Sequence, residues 1–303
     1  MDPRLQAELR VAEPSDEEYV DLVFGLVLRR APEAEARERA LAKLADGTLS
    51  RATLLHELAA APELDRIRVL DDAIALALAA RERGERPRLL TGPPATDERV
   101  VEIPWVLSRA RRGAVLEVGY AFAEPVYVAA LMRLGLDRLV GVDLATAEVP
   151  GMETVEADVR SLPFGDAEFE QVLLVSTLEH IGADNAVYGY ERGRDDGAGR
   201  ADALRELRRV LRPGGSLLVT VPLGEPGDYG WFRQEDVRGW NRLFARAGLF
   251  VEEQELYELG EAGWAASPTF RAAGVRYGER GPAASAVLCA ELSPDRLRRL
   301  ASA

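Results

Sequence analysis

Three carboxylates and one imidazole draw attention because each sits where an apolar, strand-like run ends. Glu117 interrupts Val115, Leu116 and Val118, Asp143 closes LVGVD, and Asp158 follows a short run from Glu153 to Ala157. His180 stands in STLEH, just beyond the run QVLLVS at 171–176. An acid at the tip of a strand in a βαβ unit can accept hydrogen bonds from both hydroxyls of a ribose. An imidazole near neutral pH can take the proton of a reacting group. A single acid of this kind is often no more than a turn cap; three at successive strand tips are read as one ligand-facing set. Asp184 is the rival base, or the group that orients His180, and its plainer role is a loop cap for GADN. Glu179 is read as bonding backbone or cofactor. Tyr188, Tyr190, Trp231 and Phe232 fall in the loops after the fourth and fifth strands, where they could stack on a sugar or ring. Arg233 beside them suits an anionic group such as a phosphate.

The elements that must position these groups are legible around Ala114–Asp143, which reads as strand, tight turn, helix, strand. Gly119 lets the backbone turn without a Cβ, Pro125 is placed to be the first helical residue, and Gly135 ends the helix. Downstream, Asp202 to Leu211 is amphipathic and Arg212-Pro213-Gly214-Gly215 stops it. Ser216–Val221 is a fifth strand, and Trp240–Ala247 a helix ended by Gly248. The runs 249–257 and 285–292 are read as a closing antiparallel pair. Strands alternating with helices imply a parallel sheet. Upstream, residues 15–80 read as all-helical. Ser15 and Glu18 have capping-box spacing, Pro32 starts a second helix, Gly47 ends it, Ser50 caps a third and Pro62 breaks it. The charged, Pro- and Gly-rich stretch at 81–95 is read as the boundary, giving a helical module with its linker at 1–95 and an α/β domain at 96–303. Thr96 is expected to cap the next helix, and Pro104 to kink or end its first part.

Composition excludes several classes. The chain of 303 residues is 47% hydrophobic, enough for a sizeable core, and carries a net charge of −13 with a pI near 4.9. Nucleic acid is not an expected partner, because a phosphate backbone wants a basic face. One cysteine, Cys289, rules out a disulfide framework or a multi-cysteine zinc site. With only two histidines, far apart, no metal centre is expected, although carboxylates binding magnesium are left open. No signal peptide and no membrane span are read, so a cytoplasmic enzyme is expected. A homo-oligomer is left open.

The ordered set LEVG, GVD, EADVRSLPF, STLEHIG and LRELRRVLRPGGSLLVTVP resembles the class I S-adenosylmethionine-dependent methyltransferases of the type 11 kind, over roughly residues 96–292. The resemblance implies a Rossmann-like fold, a seven-stranded, mostly parallel sheet flanked by helices. It also implies S-adenosyl-L-methionine as cofactor and a small-molecule acceptor. Glu117 and the turn at Gly119 and Tyr120 would hold the amino-acid end, Asp143 and Leu144 the ribose, Asp158 and Val159 the adenine, and Ser176 would also bind the cofactor. His180 and Asp184 would be catalytic; Tyr188, Trp231, Phe232 and Arg233 would meet the substrate. The family turn has glycines where this chain has Ala121 and Ala123, so a reshaped turn is expected, with Tyr120 or Phe122 walling the pocket. HIGADNAVYGY, WFRQEDVRGWNRLF and ERVVEIPWVL look like a bacterial subgroup found beside sugar-modifying genes, hence O-methylation of a sugar, polysaccharide precursor or natural product. The run from Glu17 to Leu64 resembles the DUF4214 family of helical modules, associated with surface-polysaccharide proteins. Two alternatives stand beside this reading: a catalytically silent scaffold docking a glycosyltransferase partner, and an NAD-dependent enzyme.

Overall fold

The computed structural model describes residues 14–87, 90–145, 147–189, 197–267, 274–281 and 283–295. The chain divides into two compact units, Met1–Val69 and Leu70–Ala303. The first holds α1 (Asp16–Leu28), α2 (Ala34–Ala45), α3 (Arg51–Ala59) and the start of α4 (Pro62–Glu82). The Ser15 side chain accepts from the Glu18 backbone and the Glu18 carboxylate accepts from that of Ser15, so the capping box is formed. Ser50 caps α3 through the Thr53 amide. Val20, Phe24, Leu28, Leu54 and Leu58 form this unit's own core. Pro32 does not start its helix; α2 begins at Ala34, with Glu33 at the cap.

In the second unit α5 (Arg99–Arg109) precedes the sheet, and everything from Val100 to Arg109 is buried. Pro104 neither ends nor splits α5, and the cap is Glu98 rather than Thr96, whose hydroxyl donates to the Pro93 carbonyl. The stretch before α5 is packed rather than slack. Arg81 donates to the carbonyls of Ala110 and Leu134, and Gly92 pairs with Trp264.

The strands are β1 (Ala114–Val118), β2 (Arg138–Asp143), β3 (Glu153–Glu156), β4 (Phe169–Val175), β5 (Leu211–Pro222), the short β6 (Gly227–Asp228) and β7 (Arg233–Gln234), β8 (Phe250–Gly260), β9 (Gly263–Ala266) and β10 (Ala286–Ser293). The main sheet has eight strands in the order β3-β2-β1-β4-β5-β10-β8-β9. β3 through β5 in that order run parallel; β10 is antiparallel to both β5 and β8. The eighth strand, beyond the expected seven, is β9, which folds back antiparallel on β8, Tyr257 opposite Ala266 and Gly260 opposite Gly263. The remaining helices are α6 (Pro125–Met132), α7 (Gly199–Val210) and α8 (Val237–Arg246). Leu204, Leu207, Val210, Trp240 and Phe244, on α7 and α8, close over Val172, Leu174, Leu217 and Val219 of the sheet. That burial is the main force holding the layers together. The strand order reverses between β1 and β4, the position where ligands bind at the carboxyl ends of an open α/β sheet.

Candidate active site

β1, β2, β4 and β5 deliver their carboxyl ends to one cavity of about 330 Å³. Glu117, Gly119, Asp143, Leu144, Asp158, Val159, Ser176, His180, Tyr188, Trp231 and Phe232 all line it. Tyr120, Asp184 and Arg233 do not. Tyr120 is buried with Val128 and Met152, and its hydroxyl accepts from the Ala147 amide, so it supports β2 from behind. Asp184 caps the turn Asn185–Tyr188 by accepting from the Ala186 amide. Arg233 donates to Asp228 at 3.0 Å. Tyr190 lies outside the described residues.

The turn after β1 is built on one glycine. Gly119 has φ +94°, and a Cβ there would lie 2.4 Å from the Thr177 hydroxyl. Tyr120–Phe122 then forms a single 3₁₀ turn, and Ala123 has φ −71°. Ala121 is likewise not among the residues with positive φ. The turn is therefore reshaped so that neither alanine is strained. Phe122 walls the cavity and packs on Tyr188 at 5.1 Å between centroids.

Backbone amides pin Asp143: Leu144 donates to Oδ1 at 2.7 Å and Ala121 to Oδ2 at 3.0 Å. Glu117 is 1% exposed and accepts from the Tyr127 hydroxyl at 2.8 Å. Burial pushes its carboxyl well above the usual range, the Tyr127 bond works the other way, and Asp143 adds to the rise. Asp158 is the opposite case: burial raises it, but the hydrogen bonds and charge of Arg160 bring it below its ordinary value.

His180 is held by its neighbours. Its Nδ1 lies 2.9 Å from the Trp231 carbonyl oxygen. A carbonyl only accepts, so Nδ1 carries the proton and Nε2 is the basic nitrogen. Trp231 stacks on the ring at 5.1 Å and Tyr188 meets it edge-on at 5.4 Å. Burial lowers the imidazole below 6.5, partly opposed by the Trp231 carbonyl and helped by the charge of Arg99. Among the described residues no cluster of His, Cys, Asp and Glu could hold a metal ion, and no helix is long and apolar enough to cross a membrane.

The profile of the "Methyltransferase domain" family matches residues 116–219, from β1 through most of β5. A protein of Encephalitozoon cuniculi (strain GB-M1) named as a methyltransferase is 31% identical over 155 residues, 46% of this chain and 67% of that relative. The chain belongs to the S-adenosylmethionine-dependent methyltransferases. The ubiquinone/menaquinone biosynthesis C-methyltransferase UbiE of Pseudomonas fluorescens is 33% identical over 89 residues. The match covers 29% of this chain, which spans only 27% of the length of UbiE. Among solved structures, the 1,6-didemethyltoxoflavin-N1-methyltransferase of Burkholderia thailandensis overlaps 86% of this chain and 92% of its own, at 17% identity and a TM-score of 0.42.

The donor set of this methyltransferase fits its cofactor, a sulfonium that also carries an ammonium, a carboxylate, a ribose and an adenine. Glu117 and Asp143 are acceptors in one hollow, with apolar Val159 and Leu144 beside them. Among the wall residues that escaped the sequence reading are Glu98, Arg99, Glu102 and Tyr277. Glu98 and Glu102 are one helical turn apart, and Glu102 is a wholly buried acid flanked by the apolar Val100, Val101 and Ile103. That charged pair within ERVVEIP was the available signal. Tyr277 packs on Phe232 at 4.6 Å, from a part of the chain with no motif of its own.

Proposed function

We propose that this methyltransferase O-methylates a small molecule, such as a sugar or a precursor of a cell-surface polysaccharide or natural product, with His180 as general base. The observation that carries the reading is the locked imidazole. Its Nδ1 is committed to Trp231, so Nε2 faces the cavity's chemistry as a neutral base between Tyr188 and Trp231. S-adenosylmethionine supplies an electrophilic methyl group. The protein aligns a hydroxyl for in-line attack and removes its proton at Nε2. When the cofactor is bound, Glu117 would hold its ammonium, Asp143 and Leu144 its ribose, and Asp158 with Val159 its adenine. Ser176, itself on the cavity wall, donates its hydroxyl to Glu102 at 2.7 Å and fixes that wall. Arg99, paired with Glu124 at 3.2 Å on the cavity wall, would meet the cofactor's carboxylate.

The aromatic wall of Tyr188, Trp231, Phe232 and Tyr277 favours a ring-shaped acceptor. The helical module's likeness to the DUF4214 family supports a polysaccharide context and a cytoplasmic precursor. The test is His180→Ala, followed by isotope-labelled methyl transfer and an S-adenosylhomocysteine titration. Turnover should fall by about 10²–10⁴-fold with cofactor binding kept. Normal turnover would remove His180 as base, and a label found on carbon would replace O-methylation with C-methylation.

A further inference from the structure

The cavity has two chemically distinct halves. The tips of β1, β2 and β3 supply Glu117, Asp143 and Asp158, which the cofactor uses under the proposed function. The other half, where the start of α5 meets the turn after β4, carries three more carboxyls: Glu98, Glu102 and Glu179. The proposed function gives none of them a part in cofactor binding or proton removal, although Oε1 of Glu179 stands 4.0 Å from Nε2 of His180.

All three are buried, at 8%, 0% and 4% exposure. Glu98 accepts from the Ala284 amide at 3.2 Å, and Glu102 from Ser176 at 2.7 Å. The second oxygen of Glu102, Oε1, and Oε2 of Glu179 have no hydrogen-bond partner, although both residues line the cavity. Buried carboxylate oxygens left unmatched are costly, and a ligand donor removes that cost. One guanidinium, Arg99, lies in the field of the three, and it is shared with Asp97 at 3.4 Å and Glu124 at 3.2 Å. A ligand that would let such buried acids ionise and match their open oxygens is a cation. The described residues do not have the geometry to make it a metal, which leaves an organic one with several N–H donors.

We infer that the acceptor carries an ammonium group, anchored by Glu102 and Glu179 with Glu98 behind them, as in an amino sugar or amino alcohol. This rests on the proposed function and names its substrate class. The ammonium has no lone pair, so it is the handle and not the methylated atom. The aromatic rings across the cavity add a cation–π surface, since Tyr188 and Trp231 flank His180, the neighbour of Glu179. Burial raises Glu102 to about 8, with Glu98 adding to the rise, and raises Glu179 in the same direction. Each is accordingly poised to ionise when a cation arrives.

The test uses the full chain saturated with S-adenosylhomocysteine, titrated with glucosamine against glucose and with 2-aminoethanol against ethylene glycol. Each amine should bind about tenfold or more tightly than its hydroxyl counterpart, the size of one charge-assisted hydrogen bond. Glu102→Gln and Glu179→Gln each remove a buried acid without changing its shape. Both should fold, keep S-adenosylhomocysteine binding and lose the amine preference. Equal binding of amine and hydroxyl probes, or a preference that survives both substitutions, overturns the inference while leaving the methyltransferase reading intact. Failure to bind S-adenosylhomocysteine at all would instead sink the reading beneath it.

Discussion

Replacing Gly119 with alanine tests whether one residue sets the cofactor turn. The φ of +94° costs a residue with a Cβ about 1–2 kcal/mol. The new Cβ would stand 2.4 Å from the Thr177 hydroxyl, so Thr177 must move. That hydroxyl donates to the Val175 carbonyl at 2.8 Å, and breaking such a bond costs about 1 kcal/mol. The sum is about 2–3 kcal/mol. For a unit of this size each kcal/mol lowers the melting midpoint by about 2–4 °C, so Gly119→Ala should melt about 4–12 °C below wild type by calorimetry. It should also weaken S-adenosylhomocysteine binding. The cycle with Thr177→Ala is decisive, because the double variant no longer has the clash and should cost less than the two single changes added together. A Gly119→Ala protein that melts with wild type, or a strictly additive cycle, would refute the reasoning.

Other expectations follow from the same geometry. Tyr127→Phe removes the donor to buried Glu117 and should cost about 1–3 kcal/mol in stability by urea titration. Arg109 is buried, bonded to Glu253 and Glu255 at 2.9 and 3.1 Å and stacked on Trp105. Arg109→Ala should therefore destabilise by about 3–5 kcal/mol, measured the same way. Because burial depresses His180, the imidazole stays a base below pH 6.5. The acid limb of kcat/KM that it controls should sit under that value and disappear in His180→Ala. Within the first unit, Ser15→Ala removes the α1 cap and should cost about 1 kcal/mol by thermal melt.

Much of this was readable from residue order because its causes are local. Gly119, Pro125 and the strand-end acids each obey a short-range rule, and the alternation of strands and helices dictates the parallel sheet. Asp143 and Glu117 reach the cavity because β1 and β2 are neighbours in register, with Glu117 opposite Gly141. What stayed hidden depends on long-range contacts. The Trp231 carbonyl that orients His180 comes from a distant loop, so Asp184 was the only orienting group that local reading could offer. Tyr120 and Phe122 were equal candidates for the pocket wall until the 3₁₀ turn sent one inward and the other outward. The partner of Arg233 is Asp228 on the adjacent strand, a pairing set by the small β6–β7 ribbon. Glu102 reaches the active site only because α5 packs over β4 and places it against Ser176.

The central claim is that carboxylates at successive strand tips share one cofactor cavity, and the structure of the S-adenosylhomocysteine complex tests it most directly. The account predicts the ribose hydroxyls within about 3 Å of the Asp143 carboxylate, with the amino-acid end beside Glu117 and Gly119. Ligand bound elsewhere, or ribose hydroxyls turned away from Asp143, would contradict it.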